Sequence, residues 1–226
     1  MAYCLLQTDK CLQSALRRSG KAEIAAALAH LGAATPLSDD AIHDIRKSVK
    51  KLRALLQLVS PGFAHGRAED GALRDMGRAL AGTRDAAVRL ATFDRVMAGD
   101  TAPDLAPLRA ILLAQDTPAP SQDLAALAAD FRALRERAAR WKLHGKDHDI
   151  LTKGLMKARL RACKAMHRAK AHPDQDRLHR WRRTVKTHWY HARLLAPVWP
   201  AALTPLAEAA DILGESLGNH NDISML

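Results

Sequence analysis

The chain has 226 residues and carries 35 Lys plus Arg against 24 Asp plus Glu, a formal net charge of +11. This length accommodates one domain with a buried core, and a hydrophobic content of 48% excludes a wholly disordered chain. No apolar run approaches the ~20 residues of a membrane span. From the first residues we expect no signal peptide, and three cysteines are too few for a disulfide framework or a thiolate zinc site. We therefore expect a cytoplasmic protein with an acidic partner.

The composition predicts an all-α fold, because Ala, Leu and Arg dominate while aromatic residues make up only 4%. Ser38 followed by Asp39 and Asp40 is a typical helix N-terminus, and the Ser-Pro-Gly stretch at 60–62 ends that helix. No strand-like alternation of useful length occurs. The helices are predicted near 2–18, 21–31, 38–59, 68–98, 104–116, 121–142, 148–170, 174–195 and 203–217.

Two short motifs recur in the same order. The sequence HDIRKSVK at 43–50 resembles HRWRRTVK at 179–186, and the sequence LAGTRD at 80–85 resembles LGNHND at 217–222. The offsets between the copies differ by only one residue, so chance recurrence is a poor explanation. The pattern predicts a duplicated helical unit within a single domain spanning 1–226. The first repeat would span 21–145 and the second 146–226, which would be truncated or shortened.

Each copy of the first motif places its cations on one side of a helix. With 100° per residue, Ile42, Ile45, Val49 and Leu52 fall on an apolar face, and the basic residues gather on another arc. Like charges three and four residues apart repel, so an acid-poor stripe of this kind indicates an external anion. The first basic stripe consists of His43, Arg46, Lys47, Lys50 and Arg53, and the second basic stripe of His179, Arg182, Arg183, Lys186 and Arg193.

At these residues the sequence resembles the CHAD family, the conserved histidine α-helical domain. The resemblance runs from about residue 21 to the end and includes Arg84 and Asp85 after the first stripe and Asp222 after the second. It implies two pseudo-symmetric antiparallel helical bundles around a central cavity that binds inorganic polyphosphate. The second bundle would be incomplete. The two basic stripes would then supply the polyphosphate-binding residues, with Arg84, Asp85 and Asp222 in supporting roles.

The second copy departs from the first at several positions. Trp189 stands where Arg53 stood, His188 falls on the face that holds Leu52, and Asn221 replaces Arg84. The second copy also ends four residues after Asp222, whereas the first continues well past Asp85. We therefore expect either a fragment or a shortened second bundle, and the oligomeric state stays open.

The sequence also contains two histidine pairs that an enzyme or metal site could use. His188 and His191 are three residues apart and His144 and His148 four apart, which are spacings that helical metal ligands use. The first pair lacks an obvious carboxylate, and Gly145 interrupts the second. No nucleophile elbow or phosphate-binding loop occurs. We therefore expect no catalytic residues, no metal and no cofactor.

The predicted function is non-catalytic binding of inorganic polyphosphate, which needs cations along a groove and little else. Non-specific DNA or RNA binding is the first alternative, although stacking platforms are scarce and Trp181 lies on an apolar face. A helical scaffold for protein interactions is the second alternative. In that case the apolar stripe of Cys4, Cys11 and the leucines at 5, 12 and 16 would either pack internally or meet a partner.

Overall fold

The computed structural model describes residues 3–33, 36–80, 85–97, 106–114 and 123–224. Within these ranges the chain forms α-helices and no strands, which confirms the predicted all-α class. None of the described helices is both long and apolar enough to cross a membrane. The helices are α1 (Leu12–Ala33), α2 (Asp39–Val59), α3 (Gly66–Ala79), α4 (Asp85–Met97), α5 (Ala106–Ala114), α6 (Leu124–Ala139), α7 (Asp147–Ala171), α8 (Gln175–Leu195) and α9 (Pro200–Ile223).

Helix α2 lies at the centre of the molecule and packs against α1, α3, α7 and α8. Its N-terminus is capped as predicted, since the Ser38 hydroxyl accepts a hydrogen bond from the Ala41 amide at 3.2 Å. Its predicted apolar face is buried in the main core, where Ile45 and Leu52 are both fully buried. The same core takes up Leu12 and Leu16 of α1, so most of the first apolar stripe packs internally.

The prediction of two helices over 2–18 and 21–31 is wrong, because α1 is continuous from Leu12 to Ala33. Gly20 stays helical because Trp141 lies against it, and a Cβ at Gly20 would come within 2.7 Å of the indole ring. Residues 3–11 are not helical. Instead the Asp9 carboxylate accepts hydrogen bonds from the Leu6 amide and from Arg18, which folds this segment back on α1.

The predicted helix over 68–98 corresponds to two elements, α3 and α4. Residues 81–84, between them, lie outside the described residues. The predicted helices over 148–170 and 174–195 agree closely with α7 and α8. The last predicted helix is longer than expected, because Pro200 occupies the first turn of α9, where its missing N–H costs nothing.

Helix α8 packs against α2, α7 and α9, and a small second cluster of apolar residues joins α8 to α9. Val185 and Leu217 are buried in this cluster, and Trp181 packs against it as its position on the apolar face predicted. The structure therefore contains two helix pairs that carry the recurring motif, α2–α3 and α8–α9. The duplication itself stays a prediction, as do the repeat boundaries and the incompleteness of the second bundle.

Candidate functional site: a basic region where two helices meet

The helices that carry the two basic stripes are in direct contact. The imidazole of His191 on α8 donates a hydrogen bond from Nε2 to the carbonyl oxygen of Ala54 on α2, at 2.8 Å. His191 is only 1% exposed, and burial lowers its pKa to about 4, so the ring is neutral at pH 7. The segment 3–11 bridges the same two helices, because Tyr3 donates to the Lys51 carbonyl and the Leu5 amide to the Leu194 carbonyl.

Beside this contact the structure brings together arginines from three helices. The pKa of Arg183 on α8 is lowered by burial and then by the positive charges of Arg53 on α2, Arg180 on α8 and Arg78 on α3, while Asp70 opposes them. The Arg183 side chain is nevertheless exposed at the surface, so a ligand can reach it. We call Arg53, Arg78, Arg180 and Arg183 the arginine cluster.

The residues of the first basic stripe differ in their contacts and in their exposure. Arg46 donates from Nη1 to the Leu80 carbonyl at 2.7 Å, so its guanidinium ties α2 to the end of α3. Arg53 forms a two-pronged ion pair with Asp70 of α3, with distances of 2.8 and 3.1 Å. His43, Lys47 and Lys50 are exposed on α2, and Lys47 forms no ion pair with any described part of the chain.

The second basic stripe is built against two glycines of α9. Arg182 donates from Nε to the Gly214 carbonyl at 3.3 Å. A Cβ at Gly218 would lie 2.9 Å from the Arg182 guanidinium, and one at Gly214 would lie 2.9 Å from Cε of Lys186. The two glycines are four residues apart, as are Arg182 and Lys186, so each cationic side chain crosses α9 above one glycine.

Trp189 lies between two cations of the second stripe. The Lys186 Nζ is 4.6 Å from the centre of one of its rings, and the Arg193 guanidinium carbon is 4.8 Å away. Lys186 also pairs with the Asp211 carboxylate of α9 at 2.7 Å. A cleft of about 350 Å³ opens here between α8 and α9, lined by Trp189, Arg193 and Asp211 among others.

His179, which begins the second stripe, contacts the second recurring motif. Its Nδ1 lies 3.2 Å from the Asn221 side-chain oxygen, so the ring donates and the amide oxygen accepts. Asp222 does not contact His179 and lies 3.5 Å from the Asn221 side-chain nitrogen. In the first copy, Arg84 lies outside the described residues, and Asp85 is the first residue of α4.

The two histidine pairs with metal-ligand spacing differ in their surroundings. The rings of His188 and His191 are 6.4 Å apart, and the Nδ1 atoms of both are buried without a hydrogen-bond partner in the described chain. His144 precedes α7, because Gly145 adopts a φ of +110°, and His148 contacts Asp149 at 3.1 Å. Among the described residues no group of three or more His, Cys, Asp or Glu is placed to hold a metal ion.

The predictions from sequence missed Arg78, Arg180 and the two glycines of α9. Arg180 lies three residues before Arg183, so helical spacing places the two on neighbouring turns, but the recurring motif does not include it. Arg78 joins the cluster from α3, which no spacing within one helix can reveal. The glycine pair did leave a signal, since a G-x-x-x-G spacing at 214–218 indicates that something approaches the helix closely.

The comparisons with known proteins agree with this description of the chain. The model of the CHAD domain matches residues 22–226, nearly the whole length. Neither a curated protein nor a solved structure matches the chain. With its helical fold and the two His-x-x-Arg motifs on adjacent helices, the chain belongs to the CHAD domain family.

Proposed function

We propose that this protein binds inorganic polyphosphate, without cleaving it, in the basic region where α2 and α8 meet. The arginine cluster is the observation that carries the proposal. The pKa of Arg183 is lowered by burial and by three other guanidinium groups, from α2, α3 and α8, and Asp70 is the one acid among the groups that act on it. Concentrating like charges in this way costs free energy, and a bound polyanion would offset that cost.

Polyphosphate suits this surface because it is a flexible polymer of phosphates with no base or sugar to recognise. Arg engages two phosphate oxygens with its planar fork, and Lys supplies a more mobile point charge. Much of the binding free energy would come from the release of condensed counterions, so we expect affinity to fall steeply with salt. Membership of the CHAD family supports the same ligand class.

Lys47 and Arg183 are the residues best placed for direct contact with phosphate. They occupy matched positions in the two motifs, both are exposed, and neither forms an ion pair with the described part of the chain. Arg46 and Arg182 occupy matched positions as well, but each donates to a backbone carbonyl at 80 or 214. They would therefore orient the helix pairs and add positive field.

Isothermal titration calorimetry with long-chain polyphosphate tests the proposal. We expect wild-type binding at moderate salt and a loss of affinity of about tenfold in the Lys47→Gln/Arg183→Gln variant, with a salt slope smaller by about 1.4 for two lost contacts. Arg132→Gln/Arg135→Gln on α6 is the control, because both residues are exposed and lie outside the motif. Arg137 is unsuitable, since it pairs with the buried Glu69 carboxylate at 3.0 Å.

An absence of binding heat at moderate salt would overturn the proposal. Equal losses of affinity in the motif variant and in the α6 control would mean that the binding site lies elsewhere on the surface. The non-catalytic part has its own test, in which the wild-type protein is incubated with polyphosphate and divalent metal ions and orthophosphate is measured. Release above the rate without protein would show hydrolysis.

A further inference from the structure

A second concentration of positive charge lies on α7, outside the recurring motif. Between Asp149 and Asp174 the chain has seven Lys and Arg and no acidic residue. Five of the seven fall within an arc of about 80° on the helix, spread over about 22 Å of its length. All five are exposed. We call this set the basic ridge, and it consists of Lys153, Lys157, Arg161, Lys164 and Arg168.

The ridge is held facing outward by the way α7 packs. The side of the helix next to the ridge is made of Gly154 and a row of alanines, of which Ala165 and Ala169 are buried. A Cβ at Gly154 would lie only 1.8 Å from the Leu58 carbonyl oxygen, so α7 touches the backbone of α2 directly. Packing against α2 and α8 therefore determines which side of α7 meets solvent.

The ridge cations are not neutralised by the protein. None of the five forms an ion pair with a carboxylate in the described part of the chain, and Lys157 makes one long contact of 3.5 Å to the Ser60 hydroxyl. By contrast, Arg53 and Lys186 of the two basic stripes each pair with an acid on the next helix. Unbalanced like charges at spacings of three and four residues destabilise the helix that carries them.

We propose that the basic ridge is a second binding surface for the same linear phosphate polymer, distinct from the arginine cluster. This inference rests on the proposed function. Because the cations extend in a line of about 22 Å, only an extended polyanion engages them together, whereas a short phosphate oligomer meets one or two of them. The ridge would therefore make the affinity depend on polymer length.

Two other polyanionic partners fit the ridge less well. Helix α7 contains no Phe, Tyr or Trp, so it offers no platform on which the bases of a single-stranded nucleic acid stack. Met156 and Leu160 are the large apolar side chains exposed on this helix, too few for the continuous apolar face by which a helix lies in a lipid surface. A phosphate polymer needs neither feature.

The test compares Arg161→Gln/Lys164→Gln with the control Arg132→Gln/Arg135→Gln, two exposed cations three residues apart on α6. Calorimetry would use long-chain polyphosphate and tripolyphosphate at several salt concentrations. For the ridge variant we expect about tenfold weaker binding of the long polymer, a salt slope smaller by about 1.4, and unchanged binding of tripolyphosphate. The control should bind both as the wild type does.

Several results would overturn the inference. One is a ridge variant that binds the long polymer with wild-type affinity and salt slope, and another is an equal loss in ridge variant and control. A loss confined to duplex DNA or to anionic lipid vesicles, measured in parallel, would assign the ridge to a different partner. If the wild type binds no polyphosphate of either length, the proposed function fails as well. If the wild type binds and the ridge variant binds equally well, only the proposal for the basic ridge fails.

Discussion

The pairs α2–α3 and α8–α9 carry the same basic motif in different surroundings. Around α2 the main core is apolar and closed, and Leu52 and Leu55 are buried in it. The equivalent positions on α8, 136 residues later, hold His188 and His191. The small core between α8 and α9 instead leaves cationic side chains in close contact with glycines and with Trp189.

The comparison separates the parts of the motif that hold structure from those that present charge. Arg46 and Arg182 do the same thing in both pairs, each donating to a backbone carbonyl of its partner segment. The acids differ, because Asp70 meets Arg53 in the first pair and Asp211 meets Lys186 in the second. The motif therefore specifies how two helices join, while neighbouring acids decide how much positive charge remains for a ligand.

The largest expected difference lies in the cores. Leu52→Ala should lower the free energy of unfolding by about 2–5 kcal/mol, because it opens a cavity in a fully buried aliphatic cluster. His188→Ala at the matched position should cost less than about 1 kcal/mol, since it also removes a buried Nδ1 that has no hydrogen-bond partner in the described chain. Urea unfolding followed by circular dichroism measures both. Equal costs would mean that the two matched positions contribute equally to stability.

A second difference is sensitivity to acid, which we expect from the second pair. The folded-state pKa of His191 is about 4, below the ordinary value of 6.5. As pH falls from about 6.5 to 4, the unfolded chain binds a proton that the native ring does not, so stability should decline by about 3 kcal/mol over that window. The decline should stop below pH 4 for this group, where both states are protonated.

Replacing His191 with leucine, the residue that α2 has at the matched position, should flatten the pH dependence between 6.5 and 4. Chemical denaturation at several pH values measures it, with the exposed His148→Gln as control. Acid sensitivity that is unchanged in His191→Leu would place the responsible group elsewhere. The Asp9 pKa, lowered first by its hydrogen bond from Arg18, affects stability only as pH falls below about 4.

The pairing acids give a third comparison, which depends on the proposed function. Asp70→Asn should release Arg53 from its two-pronged ion pair and raise polyphosphate affinity several-fold at low salt, a gain of about 1 kcal/mol. Asp211→Asn should give a smaller gain, because Lys186 keeps its contact with Trp189. Calorimetry compares both with Asp130→Asn, an exposed acid on α6. Weaker binding in Asp70→Asn would mean that the ion pair positions Arg53 for the ligand.

The smallest effect concerns Trp189, which has no aromatic counterpart in the first pair, where Arg53 stands. If polyphosphate draws Lys186 and Arg193 away from the ring, tryptophan emission should change on binding. Trp189→Phe should lose that change while its affinity changes only a few-fold, since each exposed cation–π contact is worth about 0.5–1 kcal/mol and phenylalanine keeps an aromatic face. A signal that persists in Trp189→Phe would originate at one of the other three tryptophans.

Helical periodicity was sufficient to predict α2 and α8 and the buried face of α2, because both properties depend on residues within one helix. On α8 it missed Tyr190 and His191, which are buried. It could not predict that Gly20 stays helical, since the cause is Trp141, far along the chain. Nor could it predict that the stretch over 68–98 forms two helices, α3 and α4. The start of α9 was also missed, because Pro200 indicates a break in the chain whereas it lies in the first turn of that helix.

In the candidate site, too, contacts within one helix were predictable and contacts between helices were not. The spacing predicted which cations share a side of α2 and of α8, but the ion pair of Arg53 depends on Asp70, a residue of another helix. Arg78 enters the arginine cluster for the same reason, because α3 and α8 both pack against α2. Contacts between helices follow from tertiary packing, which no pattern within one helix encodes.

The contact between Gly154 and the Leu58 carbonyl has a consequence for motion. Helices that slide past one another during ligand binding need side chains at their interface that exchange neighbours through small rotamer changes. At this point α7 rests on the backbone of α2 and has no side chain to rearrange. We therefore expect α7 to behave as one rigid body with α2, so that adjustment to a polymer of variable shape occurs through the long Lys and Arg side chains.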